Sequence, residues 1–155
     1  MLQRTFLAAG LLLVAACDEG NTTGTRLALS LHVAHDRWER RGIESYELTV
    51  TRLCFCVFTQ PVRVKVVDGV VVSRTVVPTG EPVPAPYASD YPGVPGLFAI
   101  VQEAARDADE VHTEFNGTYG YPTKISVDWT KNAVDDEVVY LAEDFRITPG
   151  CINCR

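Results

Sequence analysis

Residues 62–77 read Val62-Arg63-Val64-Lys65-Val66-Val67-Asp68-Gly69-Val70-Val71-Val72-Ser73-Arg74-Thr75-Val76-Val77 and give the clearest local signal of secondary structure in the chain. β-Branched residues on both sides favour extended strands, because their branched side chains pack well on a pleated surface. The Asp68-Gly69 pair suits a two-residue turn whose backbone needs positive φ. The stretch therefore predicts an antiparallel hairpin.

Towards the N-terminus, the sequence predicts a strand and, before it, a helix that ends near Gly42. The strand follows from apolar residues that alternate with polar ones, namely Tyr46, Leu48 and Val50. The helix follows from apolar residues that share one helical face, namely Leu27, Leu31, Ala34 and Trp38. Alternation over residues 27–33 also fits a strand, so this segment keeps two interpretations.

Towards the C-terminus, a proline-rich segment precedes a second helix and three strands. Six prolines between residues 78 and 95 exclude a central strand or helix and predict a long surface crossing. Helical spacing of apolar residues then predicts a helix, carried by Leu97, Val101, Ala104 and Ala108. The three strand-like runs that follow are Glu110–Phe115, Thr123–Trp129 and Glu137–Phe145.

This order of elements predicts an α+β fold with an antiparallel sheet of about six strands and two helices packed on one face. Helix, three strands, helix and three strands also suggest an αβββ pseudo-repeat, although the two halves share little residue-level similarity. We expect residues 27–155 to form a single domain that ends in a cysteine-bearing tail. That length is ordinary for one domain with its own core.

Residues 1–16 have the pattern of a bacterial lipoprotein signal peptide. Arg4 precedes the uncharged apolar run 6–16, which at about 16 Å of helix is too short to cross a bilayer. Val14-Ala15-Ala16-Cys17 places small residues before a cysteine whose thiol can accept a diacylglyceryl group and whose freed amine can take an acyl chain such as palmitate. The polar residues 17–26 are expected to form a lipidated N-terminus and flexible linker.

The charge of the chain restricts its partners. The formal net charge is −6, and loss of Arg4 with the leader moves it to −7. An acidic domain disfavours binding to nucleic acid and to anionic lipid head groups. Membrane attachment is therefore expected to come from two or three acyl chains at Cys17, because one chain binds only marginally.

Beyond these features, a series of short motifs occurs in order along the chain. They are Trp38, Ser45-Tyr46-Glu47-Leu48, Cys54-Phe55-Cys56, Val66-Val67-Asp68-Gly69-Val70-Val71, Leu97-Phe98, Tyr119-Gly120-Tyr121-Pro122-Thr123, Val127-Asp128 and Asp135-Asp136-Glu137. The ordered series resembles the bacterial family of unknown function 6174, whose members are typically exported or lipid-anchored. The resemblance implies an envelope location and an α+β fold, and it implies no activity and no cofactor. It runs from about Trp38 to Phe145 and leaves out the C-terminal cysteines.

Four cysteines besides Cys17 are disulfide candidates, namely Cys54, Cys56, Cys151 and Cys154. An even number in an exported protein favours disulfides. An ideal strand separates Cys54 and Cys56 by about 6.6 Å between Cα atoms, so a bridge between them needs a bulge or kink. The alternative joins them to the tail, where each closure of about 95–100 residues contributes about 4–5 kcal/mol. A redox pair at Cys151 and Cys154, or a four-cysteine zinc site, is a further interpretation.

Four carboxylates surround one predicted turn, namely Asp128, Asp135, Asp136 and Glu137. Oxygen ligands in a loop suit calcium, but their spacing does not match a calcium-binding helix–loop–helix motif. The simpler interpretation is a solvated acidic turn in which Asp128 or Asp135 accepts a hydrogen bond from the loop backbone. No metal site is therefore assigned.

The sequence shows no complete catalytic constellation and implies no cofactor. We expect a non-enzymatic binding or structural module, lipid-anchored to a membrane of the bacterial cell envelope, with its domain in the periplasm or outside the cell. Its partners would be that membrane and an envelope protein. The alternative is a thiol-redox or metal-binding envelope protein that uses Cys151 and Cys154 or the acidic loop Asp128–Glu137.

Overall fold

The structure, a computed structural model, describes residues 22–150. The predicted signal peptide, Cys17, Cys151 and Cys154 lie outside the described residues. The elements are helix α1 Thr22–Arg41, strands β1 Tyr46–Cys54, β2 Val62–Val67 and β3 Val70–Val76, a 3-10 helix Ala85–Asp90, helix α2 Val94–Asp107, and strands β4 Glu110–Phe115, β5 Pro122–Asp128 and β6 Val138–Ile147.

All six strands form one antiparallel sheet in the order β3-β2-β1-β6-β5-β4. The predicted α+β class and strand number are confirmed. Each half is a three-stranded meander, and the halves join where β1 pairs with β6, for example Thr51 opposite Leu141. Both halves run across the sheet in the same sense, but β1 and β4 point in opposite directions, so a shift along the sheet does not superimpose the halves.

The hairpin follows the predicted pattern. Asp68 and Gly69 both have positive φ, at 49° and 78°, which lets the two-residue turn match the twist of its strands. Val62, Val64 and Val66 are buried on one face of β2, while the residues between them are partly exposed. Alternation therefore orients these three valines of β2 towards the core, whereas Val70 and Val72 of β3 are exposed.

Helix α1 is longer than its apolar pattern indicates. It begins at Thr22, so residues 22–26 are helical and do not belong to a flexible linker as predicted. This corrects the linker boundary, and it also settles residues 27–33 as helix. The apolar stripe marks only where a helix packs, whereas residues 24–26 are exposed and extend the helix beyond its contact with the core.

Both helices pack on one face of the sheet, as predicted, and form the core with it. Helix α2 buries Leu97, Phe98, Val101 and Ala104, and α1 buries Ala34 and Trp38. The buried strand residues that meet them include Leu48, Val50, Ile125, Val127 and Tyr140. The opposite face of the sheet is left without a helix over it among the described residues.

An aromatic cluster fixes the C-terminal half of α1 on the sheet. The Trp38 ring lies edge-on to Tyr46 and Phe145, with centroids 5.4 and 5.8 Å apart. Tyr121 stacks on Phe145 at 4.7 Å. Such pairs contribute about 0.5–1.5 kcal/mol each beyond the apolar area they bury.

The proline-rich crossing is not purely a surface segment. It contains the short 3-10 helix, and it buries Val83 and Tyr91, which are 8% and 0% exposed. The Tyr91 hydroxyl donates to the Phe58 carbonyl oxygen at 3.2 Å, while Arg74 Nε donates to the Tyr91 carbonyl oxygen at 2.7 Å. Pro95 lies in the first turn of α2, where a backbone N–H would have no hydrogen-bond partner within the helix, so its absence does not destabilise α2.

The loop between β4 and β5 rests directly on α1. Arg37 Nη1 donates to the Gly117 carbonyl oxygen at 3.0 Å, and Arg41 Nη2 donates to that of Thr118 at 2.9 Å. Gly120 has φ of 93°, and a Cβ at this position would run into the Ala34 carbonyl oxygen. The close approach of the loop to the helix therefore requires glycine here.

Tyr46 joins β1 to the start of α2 and makes the fold sensitive to alkali. Burial raises the pKa of Tyr46 to about 12, an effect partly opposed by the hydrogen bond that its oxygen accepts from the Val94 N–H at 2.8 Å. Burial also raises the pKa of Tyr91, Tyr121 and Tyr140. The folded state thus favours the neutral phenol.

We expect the free energy of unfolding to be fully retained below about pH 10 and to fall as the pH rises towards about 12. Tyr46 alone should account for about 2–3 kcal/mol of that loss. Urea unfolding at a series of pH values measures this loss.

The variant Tyr46→Phe should be less stable at neutral pH by about 1–3 kcal/mol, because the Val94 N–H loses its acceptor. The stability of the variant should also depend less on alkaline pH. Equal alkaline slopes for both proteins would contradict the assignment.

Candidate binding surface

The face of the sheet away from the helices, here called the open face, carries polar residues of the strands and a few apolar ones. Backbone alternation and strand register place its members side by side. They are Glu47, Thr49, Thr51, Leu53, Arg63, Lys65, Lys124, Ser126, Val139, Leu141 and Arg146. A sheet face of this kind is either solvated or available to a partner.

At one end of the open face, a row of charged side chains extends across three strands. Glu47 lies opposite both Lys65 and Arg146. Its carboxylate accepts from Arg146 Nη2 at 2.6 Å and Nε at 3.1 Å, and Lys65 Nζ is 3.7 Å away. The hydrogen bonds from Arg146 lower the pKa of Glu47, although its partial burial opposes them. The two basic neighbours therefore favour the ionised form of this carboxylate.

Next to that row, the hydroxyl of Thr49 is buried beneath longer side chains. Thr49 is 6% exposed and donates to Asp144 Oδ2 at 3.2 Å. Arg63 Nη2 lies 3.9 Å from the same oxygen. Asp144 has φ of 51° at a β-bulge in β6, which turns its carboxylate over the face.

The centre of the open face is an apolar strip. Leu53 lies opposite Val139, and Thr51 lies opposite Leu141, so the four side chains form one patch across β1 and β6. Leu53 is 46% exposed, and the other three are partly exposed. An apolar patch with charged residues beside it is the usual character of a protein-binding surface.

A disulfide joins Cys54 and Cys56 at the end of β1. Because the strand stops at Cys54 and the chain bends, the Cα atoms lie 5.2 Å apart, closer than an ideal strand allows. The kink that a bridge between these cysteines requires is therefore present, and because they are joined to each other, the alternative links to the tail are not formed. Arg52 Nη1 lies 3.8 Å from Cys56 Sγ and 2.9 Å from Asp90.

This disulfide should add little to stability, because it closes a very short loop. We expect the double variant Cys54→Ala, Cys56→Ala to lower the free energy of unfolding by at most about 2 kcal/mol. Urea unfolding of both proteins measures the difference. A loss of about 4–5 kcal/mol would instead indicate that these cysteines close a long loop with the tail.

The loop carrying the disulfide presents two exposed apolar side chains that the sequence did not identify as candidate site residues. Phe55 is 82% exposed and Val57 is 90% exposed. The sequence does contain a signal for this exposure, because Leu53, Phe55 and Val57 alternate with the two cysteines. A bridge between the cysteines on one side of the chain leaves the alternating residues on the opposite side. Within the described residues, these are among the most exposed large apolar side chains.

The four predicted carboxylates do surround one turn between β5 and β6. Desolvation, followed by the charge of Asp136, raises the pKa of Asp128. One oxygen each of Asp128 and Asp136 is buried without a hydrogen-bond partner. The backbone N–H of Lys131 in this loop donates to Asp109 at 2.7 Å. The loop backbone was predicted to donate to Asp128 or Asp135, but the carboxylate that accepts is that of Asp109.

Asn132 and Asp135 both have positive φ, which marks the segment as a tight turn. Among residues 22–150, no group of three or more histidine, cysteine, aspartate or glutamate side chains is placed to hold a metal ion. In the same part of the chain, no helix is both long and apolar enough to cross a membrane.

Comparison with known proteins gives one match. A family model described as a family of unknown function (DUF6174) matches residues 30–147. No curated protein and no solved structure matches the chain. The matched region includes all six strands, both cysteines of the disulfide and the whole open face.

Proposed function

This chain belongs to the DUF6174 family, and from that premise we propose that it is a non-enzymatic binding module, lipid-anchored to a membrane of the bacterial cell envelope. The match begins within α1, covers all six strands and α2, and stops before the C-terminal cysteines, so the proposed binding module is the folded domain. Its partner in this proposal is an envelope protein.

The observation that carries the binding role is the open face. Six strands present a continuous surface, and both helices lie on the other side of it. The strip of Thr51, Leu53, Val139 and Leu141 provides apolar area, and the Glu47 row provides fixed charges beside it. Apolar area gives affinity, while charged residues at its border give orientation and specificity.

The anchoring role is supported by the sequence of the leader. Val14-Ala15-Ala16-Cys17 fits cleavage before Cys17 and acylation of its thiol and amine. The acidic charge of the mature chain gives no electrostatic attraction to anionic lipid, so the acyl chains would hold the protein. The domain would then lie in the periplasm or outside the cell, at the surface of its membrane.

A photo-crosslinking amino acid placed at Thr51 or Leu141 of the full-length protein in its native envelope tests the binding role. We expect a discrete crosslinked protein from both positions. Glu103, an exposed residue of α2 on the other side of the sheet, is the matched control and should give none. Crosslinks from Glu103 alone, or none from the open face, would contradict this surface.

A further inference from the structure

Three of the most exposed apolar side chains lie at one end of the sheet, here called the tip end. Phe55 and Val57 belong to the loop after β1, and Val134, which is 83% exposed, belongs to the loop before β6. Cys54 at the end of β1 lies opposite Val138 at the start of β6, so both loops leave the sheet at the same end.

Helix α1 also begins at the tip end. Its C-terminal part is bonded through Arg37 and Arg41 to the β4–β5 loop, which lies at the opposite end. A helix of 20 residues spans about 30 Å, the length of the nine-residue strand β1. Accordingly, Gly24 lines one groove with Asp109, immediately before β4 starts at the tip end.

The chain between the proposed anchor and this end is short. Five peptide units join Cys17 to Thr22, and a fully extended chain of that length spans at most about 18 Å. The head-group region adds about 5–8 Å on each side of a bilayer. Acyl chains on Cys17 would therefore hold the tip end at the membrane surface.

From this juxtaposition, and resting on the lipid anchor proposed above, we propose that Phe55, Val57 and Val134 insert into the interfacial layer of the membrane that holds Cys17. Exposed aromatic and aliphatic side chains partition into this layer by burying apolar area. The Cys54–Cys56 bridge constrains the backbone on both sides of Phe55, so less backbone entropy is lost when the side chain inserts. The domain would thus be docked on the bilayer in one orientation.

The charges around the tip determine the lipid. Carboxylates predominate there, from Asp109, Asp128, Asp135, Asp136 and Glu137. The basic side chains beside them include Lys131 and Arg52, and Arg52 is paired with Asp90. Such an end is repelled by anionic head groups. We therefore expect the tip end to bind a membrane of zwitterionic lipid, through its apolar side chains.

Tryptophan placed at the tip provides the test. Lipidated full-length Phe55→Trp protein is reconstituted in phosphatidylcholine vesicles with brominated acyl chains, and the emission of the wild type, which contains Trp38 and Trp129, is subtracted. We expect a blue-shifted emission at position 55 that the brominated lipid quenches about twofold or more. Val70→Trp is the matched control, because Val70 is 64% exposed at the opposite end, and its emission should not be quenched.

The outcomes separate this inference from the anchor. Protein that floats with the vesicles but shows no quenching at position 55 overturns the insertion and leaves the anchor intact. Protein that does not float overturns the anchor, and the insertion falls with it. A blue shift without quenching means that a second copy of the chain covers position 55, and this also overturns the insertion.

Vesicle composition gives a second readout. Adding phosphatidylglycerol at low ionic strength is expected to reduce the quenching at position 55, because the carboxylates are then repelled. Quenching that rises with the anionic lipid would assign the contact to cationic side chains and overturn the proposal.

Discussion

Replacing Gly120 with alanine is expected to lower the free energy of unfolding by about 3–5 kcal/mol. The backbone here has φ of 93°, where a side chain is strained. The added Cβ would also overlap the Ala34 carbonyl oxygen and lie 3.1 Å from the Trp38 backbone nitrogen. Relief of these contacts requires the loop to leave α1, which would disturb the aromatic cluster around Trp38.

Gly80→Ala is the matched control, because it separates backbone strain from overlap. Gly80 has φ of 75°, and a Cβ there meets nothing within 4 Å. This variant should therefore lose only about 1–2 kcal/mol. Urea unfolding followed by circular dichroism measures both. Equal losses in the two variants would show that the packing of Gly120 on α1 contributes nothing.

The elements of this fold could be predicted because their signals are local. Alternating valines and an Asp68-Gly69 turn determine β2 and β3 almost to the residue. The bounds of β4, Glu110–Phe115, agree with the run read from the sequence. The start of α1 was missed because exposed helix turns carry no apolar periodicity.

The arrangement of these elements depends on contacts between distant residues, which a single sequence does not display. The pairing of β1 with β6, which creates the apolar strip, joins residues about 90 positions apart. Tyr91 appeared as part of a proline-rich surface crossing, yet it is fully buried through contacts with Phe58 and Arg74. The exposure of Phe55 likewise depends on which cysteine pairs with Cys54.

Changing Cys17 to serine is expected to release the protein from the membrane. Two or three acyl chains hold a protein stably, and serine offers no thiol for the thioether. We therefore expect the membrane-bound fraction to fall by at least about tenfold, measured by ultracentrifugation and immunoblotting of cell fractions. Phe55 and Val57 alone are too small an apolar area to retain the chain.

Cys54→Ser is the matched control for this variant, because it removes a thiol that the proposal does not lipidate. It should fractionate with the membrane as the wild type does. Release of both variants would indicate that cysteine loss disturbs the fold, and retention of Cys17→Ser would refute the anchor.

The anchor is tested most directly by the intact mass of the wild-type protein extracted from its own membrane. The proposal predicts a chain that begins at Cys17, heavier than the unmodified polypeptide by a diacylglyceryl group and, where the amine is also acylated, by a further acyl chain. A chain that retains residues 1–16, or one that begins at Cys17 without added mass, would contradict it.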